Sequence, residues 1–473
     1  MAAAVTGFTR QLLERVRMFY DAAPAQPGWG SRKYRAILAH YYNLLISPEA
    51  SVLEIGCGSG ALLALIHARR RVGIDLSAHQ IAAARERIPD AEFHVQAGES
   101  LNLTETFDYI VISETLNFAA DVQQLLEKLH VVAGPDTRLI INFPSALWRP
   151  WLSLGRWLRL KNKDPQSSWL GILDVVNLLN LANWESLQVQ PRILVPVPLL
   201  GLERLANRWL APVFRWFCLT VFCVARPVRA RQQQPLAVSI VIPARNEAGN
   251  IEAAVQRTPG MGAGVELIFV EGNSRDNTWA EIQRVARAYP KCRIKTLQQP
   301  GRGKGDAVRM GFAAARGEIL MILDADLTMP PEELPKFYEV IASGHAEFAN
   351  GVRLVYPMDE KAMQFLNLCA NKIFGLIFTS LLGQPVKDTL CGTKVLRRAH
   401  YEKIVANRGY FGDFDPFGDF DLLFGAAKLN LKIADVPIRY RERTYGTTNI
   451  QRWRHGWLLL RMVLFAARKL KFV

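Results

Sequence analysis

Val52-Leu-Glu54-Ile-Gly56-Cys-Gly58-Ser-Gly60 carries an apolar run directly into three glycines at alternate positions, with a helical pattern following. That order predicts a buried strand, a tight turn and a helix. Glycine lets the backbone turn sharply there and lets a ligand approach with no Cβ in the way. Nineteen residues past Gly56 the next strand-like run ends in Asp75, whose carboxylate can accept both hydroxyl protons of a ribose. A glycine loop followed by an acidic strand end points to an adenosine-type ligand. Outward from this unit the same alternation continues. Strand-like runs at 51–54, 71–75, 92–96, 109–113 and 138–142 are followed by a second series at 237–242, 266–270, 293–297, 318–323 and 347–351. The expectation is an α/β chain with two open, mostly parallel sheets.

The length of 473 residues allows two or three domains. With 50% apolar and 21% charged residues, a disordered or fibrous chain is excluded. Lys and Arg outnumber Asp and Glu by 58 to 43, a net +15 that calls for an anionic partner. Arg226-Pro-Val-Arg-Ala-Arg-Gln-Gln-Gln-Pro235 reads as a linker, giving domains at 1–230 and 236–473 joined by 231–235. The part after residue 230 holds +10 of the charge. The six cysteines show no paired spacing, so a reducing, cytoplasmic setting is expected. No secretory signal pattern opens the chain. The nearest candidates for a membrane span are 210–225, interrupted by Arg215, and 373–382, which is too short.

The glycine loop with Glu54 ahead of it resembles the class I S-adenosylmethionine-dependent methyltransferases, whose first motif is E-x-G-x-G-x-G. The resemblance covers roughly residues 1–225 and includes Phe107–Ser113 and a late antiparallel strand near 217–225. It implies a Rossmann-like sheet, with Glu54, Gly56, Gly58 and Gly60 around the methionine part of the cofactor and Asp75 on its ribose. The adenine-contacting acid would be Glu99, two residues past Ala97, where aspartate is usual. Ser113-Glu114-Thr115-Leu116 differs from the N-P-P-Y type motif, which disfavours methylation of nucleic-acid amines.

In the second series, Val238–Glu247 is a strand ending in Pro243 and a polar turn, and Val270–Thr278 delivers acidic and amide groups after the next strand. Gly301-Arg-Gly-Lys304-Gly suits phosphate oxygens. Leu323-Asp324-Ala-Asp326-Leu327 places carboxylates at i and i+2 after a strand, a spacing that holds a hard divalent cation. Together these resemble family 2 glycosyltransferases of the GT-A fold, and within them the dolichyl- or polyprenyl-phosphate sugar transferases, from Ala237 to about Gly446. The resemblance puts Pro243, Glu247 and Glu271 on the donor nucleotide, with Lys304 of the basic loop as a further donor-binding residue. Asp324 and Asp326 would hold Mg2+ or Mn2+ and the diphosphate, Arg443 the donor diphosphate, and Arg353 the acceptor phosphate.

Departures from the family are Glu271-Gly-Asn273 for paired aspartates, Thr328 for a glutamine, and Asn449 for a terminal lysine. A lipid phosphate is already anionic near neutrality and needs cations more than a base; Lys394, Arg397 and Arg398 are further candidates. Asp388 is the base should the acceptor be a glycan hydroxyl. From Arg439 to the end there are nine Lys/Arg and one acid. Trp453, Trp457, Leu460, Leu464 and Ala467 share a helical face beside Arg454, Arg461 and Arg468, which suits peripheral attachment to an anionic membrane. The expectation is therefore a cytoplasmic, membrane-peripheral fusion of a nucleotide-sugar:polyprenyl-phosphate transferase with a methyltransferase, and no nucleic-acid partner. In the rival reading the first domain is a non-catalytic binding module and the acceptor is a glycan.

Overall fold

The computed structural model describes residues 7–157, 170–197, 199, 201–229, 234–356, 365–410, 420–443, 445 and 452–472. The chain divides into one unit of residues 1–228 and another of residues 229–471, each built on a seven-stranded sheet.

The first sheet comprises β1 (Ser51–Ile55), β2 (Arg70–Asp75), β3 (Glu92–Val95), β4 (Phe107–Ser113), β5 (Ala133–Pro144), β6 (Trp184–Ile193) and β7 (Thr220–Pro227), in the order β3-β2-β1-β4-β5-β7-β6. Strand β7 is antiparallel to both β5 and β6, and the other pairs are parallel. The inner strands are nearly continuous apolar runs, such as Ile110-Val-Ile112 and Leu139-Ile-Ile141, because helices cover both faces of the sheet. Sequence periodicity did not anticipate β6. It is an edge strand with alternating polar residues and a register shift beside Pro191, a residue that only an edge tolerates.

The second sheet comprises β8 (Val238–Ala244), β9 (Val265–Glu271), β10 (Arg293–Gln298), β11 (Ile319–Ile322), β12 (Phe348–Val352), β13 (Lys394–Arg397) and β14 (Ile433–Pro437), in the order β10-β9-β8-β11-β13-β12-β14. Strands β13 and β14 were not anticipated. β13 runs antiparallel to both neighbours, β11 and β12, so the sheet is mixed. This reversal has a consequence for chemistry: the loop entering β13 lies beside the carboxyl ends of β11 and β12, where Asp324, Asp326 and Arg353 emerge. The core fills both faces. Ile240, Phe269 and Phe337 lie in one cluster, and Val241, Phe348, Phe378 and Phe424 in the other.

Candidate active sites

In the first unit the carboxyl ends of β1, β2 and β4 surround a cavity of about 550 Å³ lined by Glu54, Gly56, Gly58, Asp75, Gln96, Glu99 and Glu114. Gly56 adopts φ 71°, and a Cβ there would run into the Thr115 side chain. Gly58 has φ 51° and open space where a Cβ would stand, so the loop presents bare backbone to the cavity. A Cβ on Gly60 would stand 3.3 Å from Ala84 and Ile88, so its absence lets the following helix close on the loop. Asp75 Oδ2 accepts the Gly58 N–H at 2.8 Å and Oδ1 the Ser77 N–H at 2.9 Å, so loop and acid are one unit. Burial raises the Asp75 pKa, and these two backbone donors oppose the rise.

Burial also pushes Glu54 up to about 8, with Arg35 opposing and Asp75 adding. Glu54 Oε2, Gln96 Nε2 and Asn117 Oδ1 are buried, lack a hydrogen-bond partner and belong to residues lining the cavity, so its wall offers both donors and acceptors to a polar ligand. This fits the amino-acid and nucleoside parts of S-adenosylmethionine. Glu99 lines the cavity too, but its Oε1 accepts the Ala120 N–H at 2.9 Å and is partly committed to the chain. Sequence reasoning missed Glu114. It stands just past β4 at φ 56°, unusual for a non-glycine residue, and accepts a hydrogen bond from Tyr34 Oη at 3.1 Å. Only its place at a strand end signalled it.

In the second unit a cavity of about 340 Å³ is lined by Pro243, Glu247, Lys304, Asp324, Asp326 and Arg443. Asp324 Oδ1 pairs with Lys304 Nζ at 2.6 Å. Arg443 forks between Glu247 Oε1 and Asp326 Oδ2, each at 2.7 Å. Asp326 Oδ1 accepts the Thr328 hydroxyl at 2.9 Å, so Thr328 fixes this carboxylate. Gly392, at the entry to β13, lies so close that a Cβ would meet Asp324 Oδ2 and Lys304 Nζ. Backbone strain concentrates here. Asn246, Asn273 and Leu327 have φ 57°, 56° and 51°, all beyond strand ends at this edge. Burial raises the Glu247 pKa, against the pull of Arg443. Glu271 is buried outside the cavity lining, and its Oε1 accepts the Ser274 N–H at 2.5 Å, so it shapes the turn. The paired carboxylates offer the hard oxygen ligands that Mg2+ or Mn2+ requires.

Among the expected acceptor-side residues, Arg353 and Asp388 form one ion pair. Arg353 Nε and Nη2 donate to Asp388 at 2.7 and 2.8 Å, and the Arg353 N–H donates to the same carboxylate at 3.1 Å. Burial alone would raise the Asp388 pKa, but Arg353 outweighs it and holds the carboxyl below its usual range. Asp388 is fully buried and held ionised by Arg353, a pairing that lowers its affinity for a proton and so its strength as a general base. Lys394 is also fully buried, with Nζ donating to Asn350 Oδ1 at 2.7 Å. Arg397 reaches the Ile341 carbonyl, and Arg398 grips the Gly317 carbonyl at 2.7 Å, so both serve the fold. Asp419, Gly446 and Asn449 lie outside the described residues.

The C-terminal helix spans Arg452–Ala466. Leu459, Met462 and Ala466 bury one face in the core, while Trp457, Leu460 and Leu464 remain exposed on another, beside Arg461 and Arg468. The expected stripe therefore faces outward on a helix that is packed by residues the spacing argument left aside. The side chains of Trp453 and Arg454 lie outside the described set.

A family model described as a methyltransferase domain matches residues 53–139, and one described as glycosyl transferase family 2 matches residues 239–405. A dolichol-phosphate mannosyltransferase of Pyrococcus furiosus is 31% identical over 223 residues, 46% of this chain and 60% of that protein. An undecaprenyl-phosphate 4-deoxy-4-formamido-L-arabinose transferase of Edwardsiella ictaluri is 27% identical over 214 residues, 44% of this chain and 61% of that protein. The chain thus spans about three-fifths of the length of these curated relatives. A crystal structure of an S-adenosylmethionine-dependent methyltransferase from Thermotoga maritima covers 46% of this chain and 98% of its own, at 18% identity and a TM-score of 0.34.

Proposed function

We propose that this chain, which joins a methyltransferase domain to a family 2 glycosyltransferase domain, is a bifunctional transferase. Its second unit moves a sugar from a nucleotide-diphosphate sugar to a polyprenyl phosphate, and its first unit moves a methyl group from S-adenosylmethionine. One observation carries the sugar-transfer reading: Asp324 and Asp326 stand at a strand end within reach of Lys304 and Arg443 around one cavity. The carboxylates would hold Mg2+ or Mn2+, which when bound offsets charge on the leaving diphosphate. Lys304 and Arg443 are the cations that can take up the phosphate oxygens.

The acceptor phosphate oxygen attacks the anomeric carbon as the bond to the diphosphate breaks, and the bonding electrons leave with the nucleoside diphosphate. Attack from the opposite side inverts the anomeric configuration. A phosphate with second pKa near about 6 is ionised at neutral pH and needs no base. That agrees with the acids of the site. Glu247, Asp324 and Asp326 are each ion-paired, and Asp388 is buried against Arg353. These pairings favour a phosphate over a glycan hydroxyl. The exposed Trp457–Leu464 stripe with its arginines supports attachment at the cytoplasmic face of a membrane, and no described helix is long and apolar enough to cross one.

In the first unit, the bare backbone of Gly56 and Gly58 and the Asp75 carboxylate would hold S-adenosylmethionine, which when bound supplies the methyl group, and Glu114, paired with Tyr34 at the same cavity, would receive the acceptor's proton. Incubation of the full chain with nucleotide-sugars, divalent metal and polyprenyl phosphate tests the main reading. A lipid-linked sugar lost in Asp326→Ala is expected; no product with any donor, or undiminished activity in that variant, refutes it. Calorimetry with S-adenosylmethionine tests the first unit, and absence of binding would leave it a docking module.

A further inference from the structure

In the first sheet β5 and β6 both run antiparallel to β7. The carboxyl ends of β5 and β6 and the start of β7 therefore share the edge where Gly56, Asp75 and Glu114 stand. The segments that leave this edge, residues 146–157, 194–197, 199 and 201–219, roof the cavity through Leu152, Pro196 and Leu219. They are tied in place. The Ser145 N–H donates to the Leu219 carbonyl at 2.6 Å, and Trp148 Nε1 donates to the Phe217 carbonyl at 2.8 Å. Asn207, buried, accepts the Leu194 and Val195 N–H groups at 2.9 and 2.8 Å and donates to the Val195 carbonyl.

The outer face of this roof is unlike an ordinary water-facing surface, on which exposed apolar side chains are scattered singly. Trp216 is 80% exposed, Trp151 66% and Leu202 64%, and Val213, Phe214 and Phe217 are exposed as well. Exposed Arg204, Arg208 and Arg215 are interleaved with them, and the Arg208 guanidinium sits 5.6 Å from the Trp209 ring centre. Glu203 is the single acid between residues 194 and 219, and its carboxylate is occupied by the Leu199 and Gly201 N–H groups. Tryptophan and leucine interleaved with arginine is the composition that settles at an anionic bilayer interface.

We infer that this roof is a lipid-docking surface: it seats the mouth of the methyltransferase cavity on an anionic membrane, so that the methyl acceptor is an amphiphile drawn from the lipid phase. Docking stands on the surface alone, while the nature of the acceptor rests on the methyl-transfer reading. The experiment uses the full chain with Trp457, Leu460 and Leu464 replaced by serine, so that the C-terminal helix does not mask the effect. This protein is expected to float with phosphatidylcholine–phosphatidylglycerol vesicles and much less with phosphatidylcholine alone.

Adding Trp151→Ser, Trp216→Ser and Phe217→Ser should lower the bound fraction at least about tenfold, with S-adenosylmethionine affinity and thermal unfolding unchanged. Equal flotation before and after those changes overturns docking. So does a starting protein that does not float, or one whose exposed roof instead drives self-association in sedimentation. For the acceptor, methyl-labelled S-adenosylmethionine with a native extract should place label in the organic phase. Label confined to the aqueous phase, or no transfer despite intact cofactor binding, overturns that part while flotation still decides docking.

Discussion

Replacing Asp388 by asparagine separates two accounts of its role. Arg353 is buried with three hydrogen bonds to the Asp388 carboxylate, which also accepts the Leu390 N–H at 3.1 Å. The Asp388→Asn change would keep the side-chain volume but leave a guanidinium with no counter-charge in a dry setting. Breaking one side of a buried pair costs about 3–5 kcal/mol. For a unit of this size each kcal/mol lowers the midpoint by about 2–4 °C, so a fall of about 6–20 °C is expected. Calorimetry of the full chain reads it, and the affected transition is the one that shifts upward with nucleotide and metal. Sugar transfer should fall in parallel, with KM for the lipid rising as Arg353 loses its orientation. A double change to Arg353→Met and Asp388→Leu should restore most of the stability but not the transfer. A single variant that unfolds within about 1 kcal/mol of the parent and yet transfers no sugar would refute this reasoning, because Asp388 would then be acting as a base.

Glu54→Gln should flatten the pH dependence of the first unit's stability. The folded group titrates near 8 and the unfolded one near 4.5, so between these values the native state keeps a proton that the unfolded state has released. Stability therefore falls as pH rises through that window, by up to about 4–5 kcal/mol, and a denaturation series that keeps this slope in the variant contradicts the assignment. Gly56→Ala, with φ 71° and Thr115 in the way, should cost about 1–3 kcal/mol and weaken S-adenosylmethionine binding measured by calorimetry. Gly392→Ala should push Asp324 and Lys304 apart and lower kcat/KM for sugar transfer on the order of 10²-fold; an unchanged value would mean their alignment is immaterial. Mn2+ titrated into the full chain should bind at least about tenfold tighter when a nucleoside diphosphate is present, since the diphosphate can take over Lys304 and Arg443. Equal affinities would remove that coupling.

What the sequence disclosed was local. A glycine loop behind an apolar strand, an acid at the next strand end and carboxylates at i and i+2 are each set by a few adjacent residues, and adjacency is what periodicity reads. The edge strand β6 and the reversed strand β13 are fixed by pairing with distant segments, so their polar or mixed runs gave little signal. The Arg353–Asp388 pair joins residues 35 apart in sequence through the antiparallel β13, which turns two candidates for opposite jobs into one ion pair. Thr328 looked like a loss and instead anchors Asp326, because a hydroxyl two residues on reaches the carboxylate across the turn. On the C-terminal helix the regular spacing of Trp457, Leu460 and Leu464 marks the stripe that faces outward, while Leu459, Met462 and Ala466 supply the packing face.

The acids of the two sites are kept in different charge states by different means, and this bears on what each cavity can hold. Burial pushes Glu54 up to about 8, with Arg35 and the Leu63 backbone opposing, and the other carboxylates lining the first cavity are Asp75, Glu99 and Glu114. A ligand bearing positive charge near Glu54 would favour its ionisation, and the cavity would gain a carboxylate at the moment it is needed. In the second cavity Asp324 and Asp326 already face Lys304 and Arg443. Adding a divalent cation alone would repel those two cations, and adding a diphosphate alone would repel the carboxylates. Metal and diphosphate together would let each partner exchange for one of like charge, as the proposed sugar transfer requires.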